Sequence, residues 1–373
     1  MSFRNKPIRC DIFCTVIDNF GDAAVSARLA RQLVVEYGWQ VRLWLDDLAP
    51  LAALWPGVSA TASQQRFHGI EIHDWQPDKP SPCADAEVVV SAFGCRLPDD
   101  YLHAMTNHPP YWLNLEYLSA ETWVEGCHGL PSPHPQLGLT QYFFFPGFSL
   151  KTGGLLREQN LLVDRDAFLH DAQQQSVFWH KLDLAPPPDT LRISLFGYRH
   201  APLADLLSNL ANCGQPVWCV LPAGQLEQAG QDWLNANPDS AVRLHSVPFL
   251  AQEDYDRLLW LCDINFVRGE DSLTRAIWAG KPFIWHIYPQ EALAHHTKLM
   301  ALLQRLNAHA DPGIAHVVSQ TWRAWNGMLS EPVDLHDWLE HAPGINNTFS
   351  AWSHELTRLP NLAQTLVNFC QIG

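Results

Sequence analysis

Basic residues are scarce in this sequence. Lys and Arg number 24 against 39 Asp and Glu, a formal net charge of -15 over 373 residues. A general nucleic-acid binder needs a basic stripe to neutralise phosphates, so that class is disfavoured. A small anionic ligand is not, since one helix end and a few basic groups suffice locally. The nine cysteines are odd in number and scattered, with no C-x-x-C pair and no zinc-type spacing. They read as buried thiols in a reducing cytosol, and neither a metal nor a cofactor is expected. No apolar run approaches ~20 residues, so no membrane-spanning helix is expected. The first residues, Met-Ser-Phe-Arg-Asn-Lys-Pro, lead directly into a strand, so a cytoplasmic protein without a signal peptide is expected. Neither an internal repeat nor a G-x-G-x-x-G fingerprint is present in the first strand–turn–helix.

What is present is a globular composition, 47% apolar, on a chain long enough for two domains. The most informative stretch runs from Asp263 to Trp285. Ile264 to Val267 suits a buried strand, and Arg268-Gly269 breaks it. Asp271 and Ser272 are N-cap residue types, and Leu273, Ile277 and Trp278 recur on one helical face. Gly280 is the stop, Pro282 bars continuation, and Phe283 to Ile287 reads as the next strand. A turn of this kind in an open α/β sheet offers helix N–H groups to an anion. Ser272 adds a hydroxyl, and Glu270 is a carboxylate able to accept hydrogen bonds from sugar hydroxyls. An ordinary capped helix with Glu270 in solvent is the competing reading.

The chain opens β-α-β. Arg9 to Ile17 is a strand, Asp18-Asn19-Phe20-Gly21-Asp22 a turn, Ala23 to Tyr37 a helix stopped by Gly38, and Gln40 to Leu45 a strand. One glycine and two acids make that turn a poor pyrophosphate cradle. Asp18, past the end of the first strand, is placed to act as a general base toward an acceptor, or to hold an Asx-turn. Asp22 reads as a helix cap, and Asp46-Asp47 as solvated acids rather than a metal site. Further strands are expected around Glu71-Ile72, over Glu87 to Ala92 and over Tyr111 to Leu115. The aromatic run from Leu139 to Phe148 is core or the wall of a cleft, and Ala167 to Leu182 reads as a helix. The proline triplet Pro186-Pro187-Pro188 is the expected linker, 185–189, between an N-terminal domain, 1–184, and a second α/β domain, 190–349. In that second domain Leu191 to Phe196, Val217 to Leu221 and Val242 to Phe249 read as strands, and Gln290 to Leu306 as helical. A last helix over Ser350 to Phe369 would pack back on the first domain. The expected class is α/β, with two Rossmann-like domains facing a cleft.

Several long blocks carry a specific likeness: Asp11 to Cys14 with Val16 to Asp22, Arg28 to Leu33, Phe266 to Ser272, and Trp278 to Gln290. On them the chain resembles, over nearly its whole length, the EarP family, the protein-arginine rhamnosyltransferases that modify bacterial translation elongation factor P. Ser26 stands where the resemblance leads one to expect cysteine. The resemblance implies a GT-B fold and an inverting, metal-independent transfer of L-rhamnose from dTDP-β-L-rhamnose to one arginine of elongation factor P. It implies Asp18 as the catalytic carboxylate, with Glu270 grouped beside it. Glu270, Asp271 and Ser272 are implied as donor-site residues, Tyr198 as a phosphate contact, and Phe249, Leu250 and Gln252 as thymine contacts. Ile17, Asn19, Phe20, Gly21, Arg268 and Gly269 belong with the implied donor site, although Arg268 and Arg275 are each equally readable as structural ion pairs. A guanidinium is a poor nucleophile until a carboxylate orients it and takes a proton. The alternatives are a GT-B enzyme acting on a glycan or small molecule, and a non-catalytic nucleotide-binding module.

Overall fold

The computed structural model describes residues 7–17, 20–76, 83–289 and 294–371. Its contacts divide the chain into two units, Met1–Gln159 with Leu359–Gly373, and Asn160–Arg358.

The first unit begins with β1 (Arg9–Cys14), α1 (Phe20–Tyr37), β2 (Gln40–Leu45), α2 (Ala49–Leu54), β3 (Gln64–Phe67) and β4 (Ile70–Asp74). It continues with β5 (Val88–Ala92), α3 (Asp99–Met105), β6 (Tyr111–Leu115), α4 (Val124–Cys127), β7 (Pro131–Pro133) and β8 (Thr140–Phe144). The sheet order is β3-β4-β2-β1-β5-β6-β8-β7. Its six inner strands are parallel and the two edges antiparallel. β5 reads VVVSA and is buried at every position, as a parallel strand covered on both faces must be. Phe13 stacks on Trp44 at 5.6 Å and meets Tyr101 edge-on at 4.9 Å. One charge lies within this sheet. Asp11 is fully buried, but its register partner Arg42 donates to it at 2.5 and 2.7 Å and the Tyr101 hydroxyl at 2.5 Å. These three bonds offset the cost of removing the carboxylate from water.

β1 ends at Cys14, three residues before the expected end. The amides beyond it leave the ladder for side chains: Val16 N–H donates to Asp46 Oδ1 at 2.8 Å, and Ile17 N–H to Asp22 Oδ2 at 2.9 Å. Asp46 is therefore a backbone anchor rather than a solvated acid.

The second unit holds α5 (Leu161–Leu169), α6 (Ala172–Lys181), β9 (Leu191–Leu195), α7 (Leu203–Leu210), β10 (Val217–Pro222), α8 (Glu227–Ala236) and β11 (Val242–Val247). After these come α9 (Gln252–Leu261), β12 (Ile264–Arg268), α10 (Asp271–Ala279), β13 (Phe283–His286), α11 (Ala294–Asn307), α12 (Pro312–Trp325), α13 (His336–Glu340) and α14 (Ala342–Leu356). All five strands are parallel, in the order β11-β10-β9-β12-β13. Gly280 closes α10 in the left-handed region, φ 68°, with its N–H on Ile277 O, as its place in the sequence requires.

The division falls elsewhere than at the proline triplet. Residues 160–184 pack with the second unit: Phe168 lies 5.7 Å from Trp260, and Lys181 pairs with Asp254 at 2.5 Å. The helix expected over 167–182 is two helices, because the Asp171 side chain accepts from Gln174 N–H and starts a new one. The expected last helix is also two. α14 stops before Pro360, and α15 (Leu362–Gln371) belongs to the first unit, where Phe369 meets Tyr142 at 5.4 Å and Phe144 at 5.9 Å. Gly154, at φ +75°, admits the returning chain, since a Cβ there would collide with Pro360 O. Among the described residues, no helix is long and apolar enough to cross a membrane.

Candidate active site

Both sheets carry the doubly wound order in which chain direction across the sheet reverses beside the first strand. Ligands of such sheets bind beyond the strand carboxyl ends at that reversal. In the first unit the reversal lies between β1 and β5, and in the second between β9 and β12. The residues singled out in the sequence fall largely at these two places.

In the second unit, β12 ends at Arg268, and Gly269 turns the chain at φ 61°. Trp285 Nε1–H donates to Gly269 O at 2.7 Å and fixes that turn. Glu270 takes the N-cap position without a side-chain cap bond, and Asp271 and Ser272 are the first residues of α10. Thr274 N–H makes the first helical bond, to Glu270 O at 3.0 Å. The helix end expected from the sequence is therefore present, one residue earlier than the cap residue types indicated.

The Ser272 hydroxyl, in the first turn of α10, lies against the backbone of Arg268. It accepts from Arg268 N–H at 2.9 Å and donates its single proton to Arg268 O. In this arrangement the hydroxyl ties the helix start to the end of the strand. The Arg268 side chain, 8% exposed, lies over the rings of Phe196 at 4.3 Å and Tyr198 at 5.0 Å and donates to Gly197 O at 3.2 Å. It thus holds a positive charge at the reversal, between the ends of β9 and β12. Arg275 is a structural cation, 2% exposed, with two bonds of 2.8 Å to Asp256 that tie α10 to α9. That tie fixes the start of α9, where Gln252 and Leu250 are buried and Phe249 is half-buried, in the same unit as Glu270 and Asp271.

Tyr198 is 3% exposed and follows Gly197 directly after β9. Its N–H donates to His286 Nδ1 at 3.1 Å, and its ring meets Tyr288 edge-on at 5.4 Å. The His286 ring, at the end of β13, is pushed down to about 3 by burial first, then by His200, Arg268 and His295. Sequence reading passed over His286 and His200. They stand 86 positions apart, and no local pattern joins them.

In the first unit, Asp18 and Asn19 lie outside the described residues. On one side Ile17 is 64% exposed, with its amide on Asp22; on the other, Phe20 and Gly21 are half-buried at the start of α1. Asp22 is 2% exposed. Its carboxylate reaches back to the backbone ahead of the helix, in keeping with the capping role read from the sequence. Across the reversal, Thr15 Oγ1–H donates to Cys95 Sγ at 3.4 Å. Burial pushes the Cys95 thiol up to about 11, so it stays protonated. Phe93, after β5, sits at φ 57° and is held by Leu115 O at 2.7 Å and by stacking on Tyr117 at 4.7 Å. This strained aromatic was also missed in the sequence.

Among the described residues, His336, Asp337 and Glu340 of α13 form a group with metal-ligand reach. All three are exposed, and His336 and Glu340 already pair at 3.3 Å one helical turn apart.

The family described as "Elongation-Factor P (EF-P) rhamnosyltransferase EarP" matches residues 10–371. A protein-arginine rhamnosyltransferase of Pseudomonas putida KT2440 is 45% identical over 369 residues, 96% of this chain and 97% of that one. One from Neisseria meningitidis is 39% identical, over 97% of each chain. Among solved structures, one described as "Structural basis for EarP-mediated arginine glycosylation of translation elongation factor EF-P" is 32% identical, with a TM-score of 0.69 and 98% and 99% of the two chains covered. MurG of Acinetobacter baumannii shares the fold alone, at 13% identity and a TM-score of 0.53 over 98% of this chain and 100% of that one. Two doubly wound units with these neighbours make a GT-B fold, and the chain belongs to the EarP family of elongation factor P rhamnosyltransferases.

Proposed function

We propose that this chain transfers L-rhamnose from dTDP-β-L-rhamnose to an arginine side chain of translation elongation factor P, with inversion at the anomeric carbon. The observation that carries the donor half is the reversal point of the second unit. There a helix start, a buried arginine and Tyr198 meet at the ends of β9 and β12. A diphosphate gains charge as it leaves, and a pre-set cation with helix-end amides stabilises that charge without rearrangement. Glu270, half-buried at the helix start, accepts from rhamnose hydroxyls, while Phe249, Leu250 and Gln252 receive the thymine.

Asp18 is the base of the acceptor half. It holds the guanidinium, orients one nitrogen and takes its proton as the C–N bond forms. The C–O bond to the diphosphate breaks with its electron pair going to dTDP, and attack opposite that group gives the α-linked product. The relatives named as protein-arginine rhamnosyltransferases support rhamnosyl transfer to arginine, and the structural relative, described by its glycosylation of elongation factor P, supports that protein as the acceptor. The test is the mass of elongation factor P after incubation with this protein and dTDP-β-L-rhamnose. A gain of one deoxyhexose, mapped to an arginine, is expected. An unmodified acceptor, with sugar found on water, a glycan or a small molecule, overturns the assignment.

A further inference from the structure

The hydrogen bonds behind Tyr198 run in one direction. A backbone N–H can only donate, so the bond from Tyr198 N–H at 3.1 Å leaves His286 Nδ1 without a proton. The neutral ring then carries its proton on Nε2, which lies 3.1 Å from His200 Nε2. One proton between those nitrogens means that His286 donates and His200 accepts. A neutral His200 must then carry its own proton on Nδ1.

The surroundings hold this arrangement. His286 is 1% exposed, and burial keeps it neutral far below neutral pH. Asn326 fixes the strand end on both sides of it, accepting from Ile287 N–H at 3.0 Å and donating to Trp285 O at 2.8 Å. Gly197 leaves room for the ring, since a Cβ there would stand 3.2 Å from His286 Nδ1. His200 is exposed, and its ring runs parallel to that of Tyr198, 2° apart in tilt and 6.1 Å away. Among the described residues its Nδ1 has no hydrogen-bond partner. Burial lowers His200 as well, which favours its neutral form, and among the groups that lower His286 Arg268 is a permanent cation. An exposed imidazole beside Tyr198, over which the Arg268 guanidinium lies, suits an anion at the end of β9.

We propose that His200 is a direct contact for the leaving diphosphate, presenting Nδ1–H, and that His286 is the positioning residue that fixes this tautomer. The proposal rests on the donor reading above and adds a residue to it. Two measurements on the full chain test it. Long-range 1H–15N correlation spectra of histidine-labelled protein should show His286 protonated on Nε2 and His200 on Nδ1; His200 protonated on Nε2 alone overturns the relay. Calorimetry with dTDP alone should show affinity falling roughly tenfold in His200→Ala, on the scale of one lost charge-assisted hydrogen bond. His200→Asn, whose amide can donate from the Nδ1 position, should recover most of it. His286→Leu should weaken binding when His200 is present and add little in the His200→Ala background. Because His200 is exposed, its variants fold even if His286→Leu does not. Unchanged dTDP affinity in His200→Ala overturns this proposal alone. Failure of the unmodified chain to bind dTDP overturns the donor reading and this proposal with it.

Discussion

The buried His286 makes the second unit sensitive to mild acid, with a size that can be worked out. In the folded chain its ring stays neutral down to about pH 3. In the unfolded chain it takes a proton near pH ~6.5. Between those values the unfolded state binds one proton more than the folded state, so acid favours unfolding. The contribution is whole above pH ~6.5 and is lost progressively as pH falls toward about 3. The loss is about 1.4 kcal/mol per pH unit, or about 2 kcal/mol by pH 5. The perturbation is His286→Gln, which keeps an acceptor for Tyr198 N–H and a donor for His200 but does not titrate. Urea titrations of both chains at pH 7.5, 6 and 5 should show the wild type losing about 2 kcal/mol more than the variant across the series. Carboxylates common to both cancel in the difference. Parallel pH dependence in the two chains would refute the reasoning, because it would mean that His286 titrates alike in folded and unfolded protein.

The ion pair between Arg275 and Asp256 gives a second expectation. Asp256→Ala removes the carboxylate that accepts two 2.8 Å bonds from a guanidinium 2% exposed, at a cost of about 3–5 kcal/mol in urea unfolding. The double replacement Asp256→Leu with Arg275→Met should recover most of that, and a single-variant loss under about 1 kcal/mol would contradict the account. In the first unit, Gly154→Ala should cost about 2 kcal/mol, from φ +75° and the collision with Pro360 O. Faster hydrogen exchange across residues 359–371 is the readout, and unchanged protection there would count against it.

Much of the fold was legible because each signal was local. The apolar run Ile264 to Val267, the break at Gly269, the face of Leu273, Ile277 and Trp278, and the stop at Gly280 give β12, its turn and α10 nearly residue by residue. The errors arose where a distant group intervened. β1 looked long enough to reach Ile17, but Asp46, some 30 positions on, takes the amide of Val16. The proline triplet looked like the boundary, yet Phe168 and Lys181 find their partners on α9, more than 70 positions away. Pro360 was visible as a helix breaker and was overlooked within an otherwise helical tail. At the site, residue types were readable but hydrogen-bond directions were not. Ser272 was readable as a hydroxyl at a helix start, but its contacts with the Arg268 N–H and carbonyl were not. The histidine pair depends on a backbone amide with no sequence signature at all.

The proposed reaction divides unlike tasks between the two units: donor capture at Glu270 in the second, and proton removal by Asp18 in the first. The direct test measures dTDP-β-L-rhamnose affinity and rate of transfer to elongation factor P, side by side, in Asp18→Asn and Glu270→Ala. The account predicts that Asp18→Asn binds donor as the unmodified chain does and loses most of its turnover, roughly a hundredfold or more for a general base, whereas Glu270→Ala binds donor more weakly. Full turnover by Asp18→Asn, or unchanged donor affinity in Glu270→Ala, would contradict it.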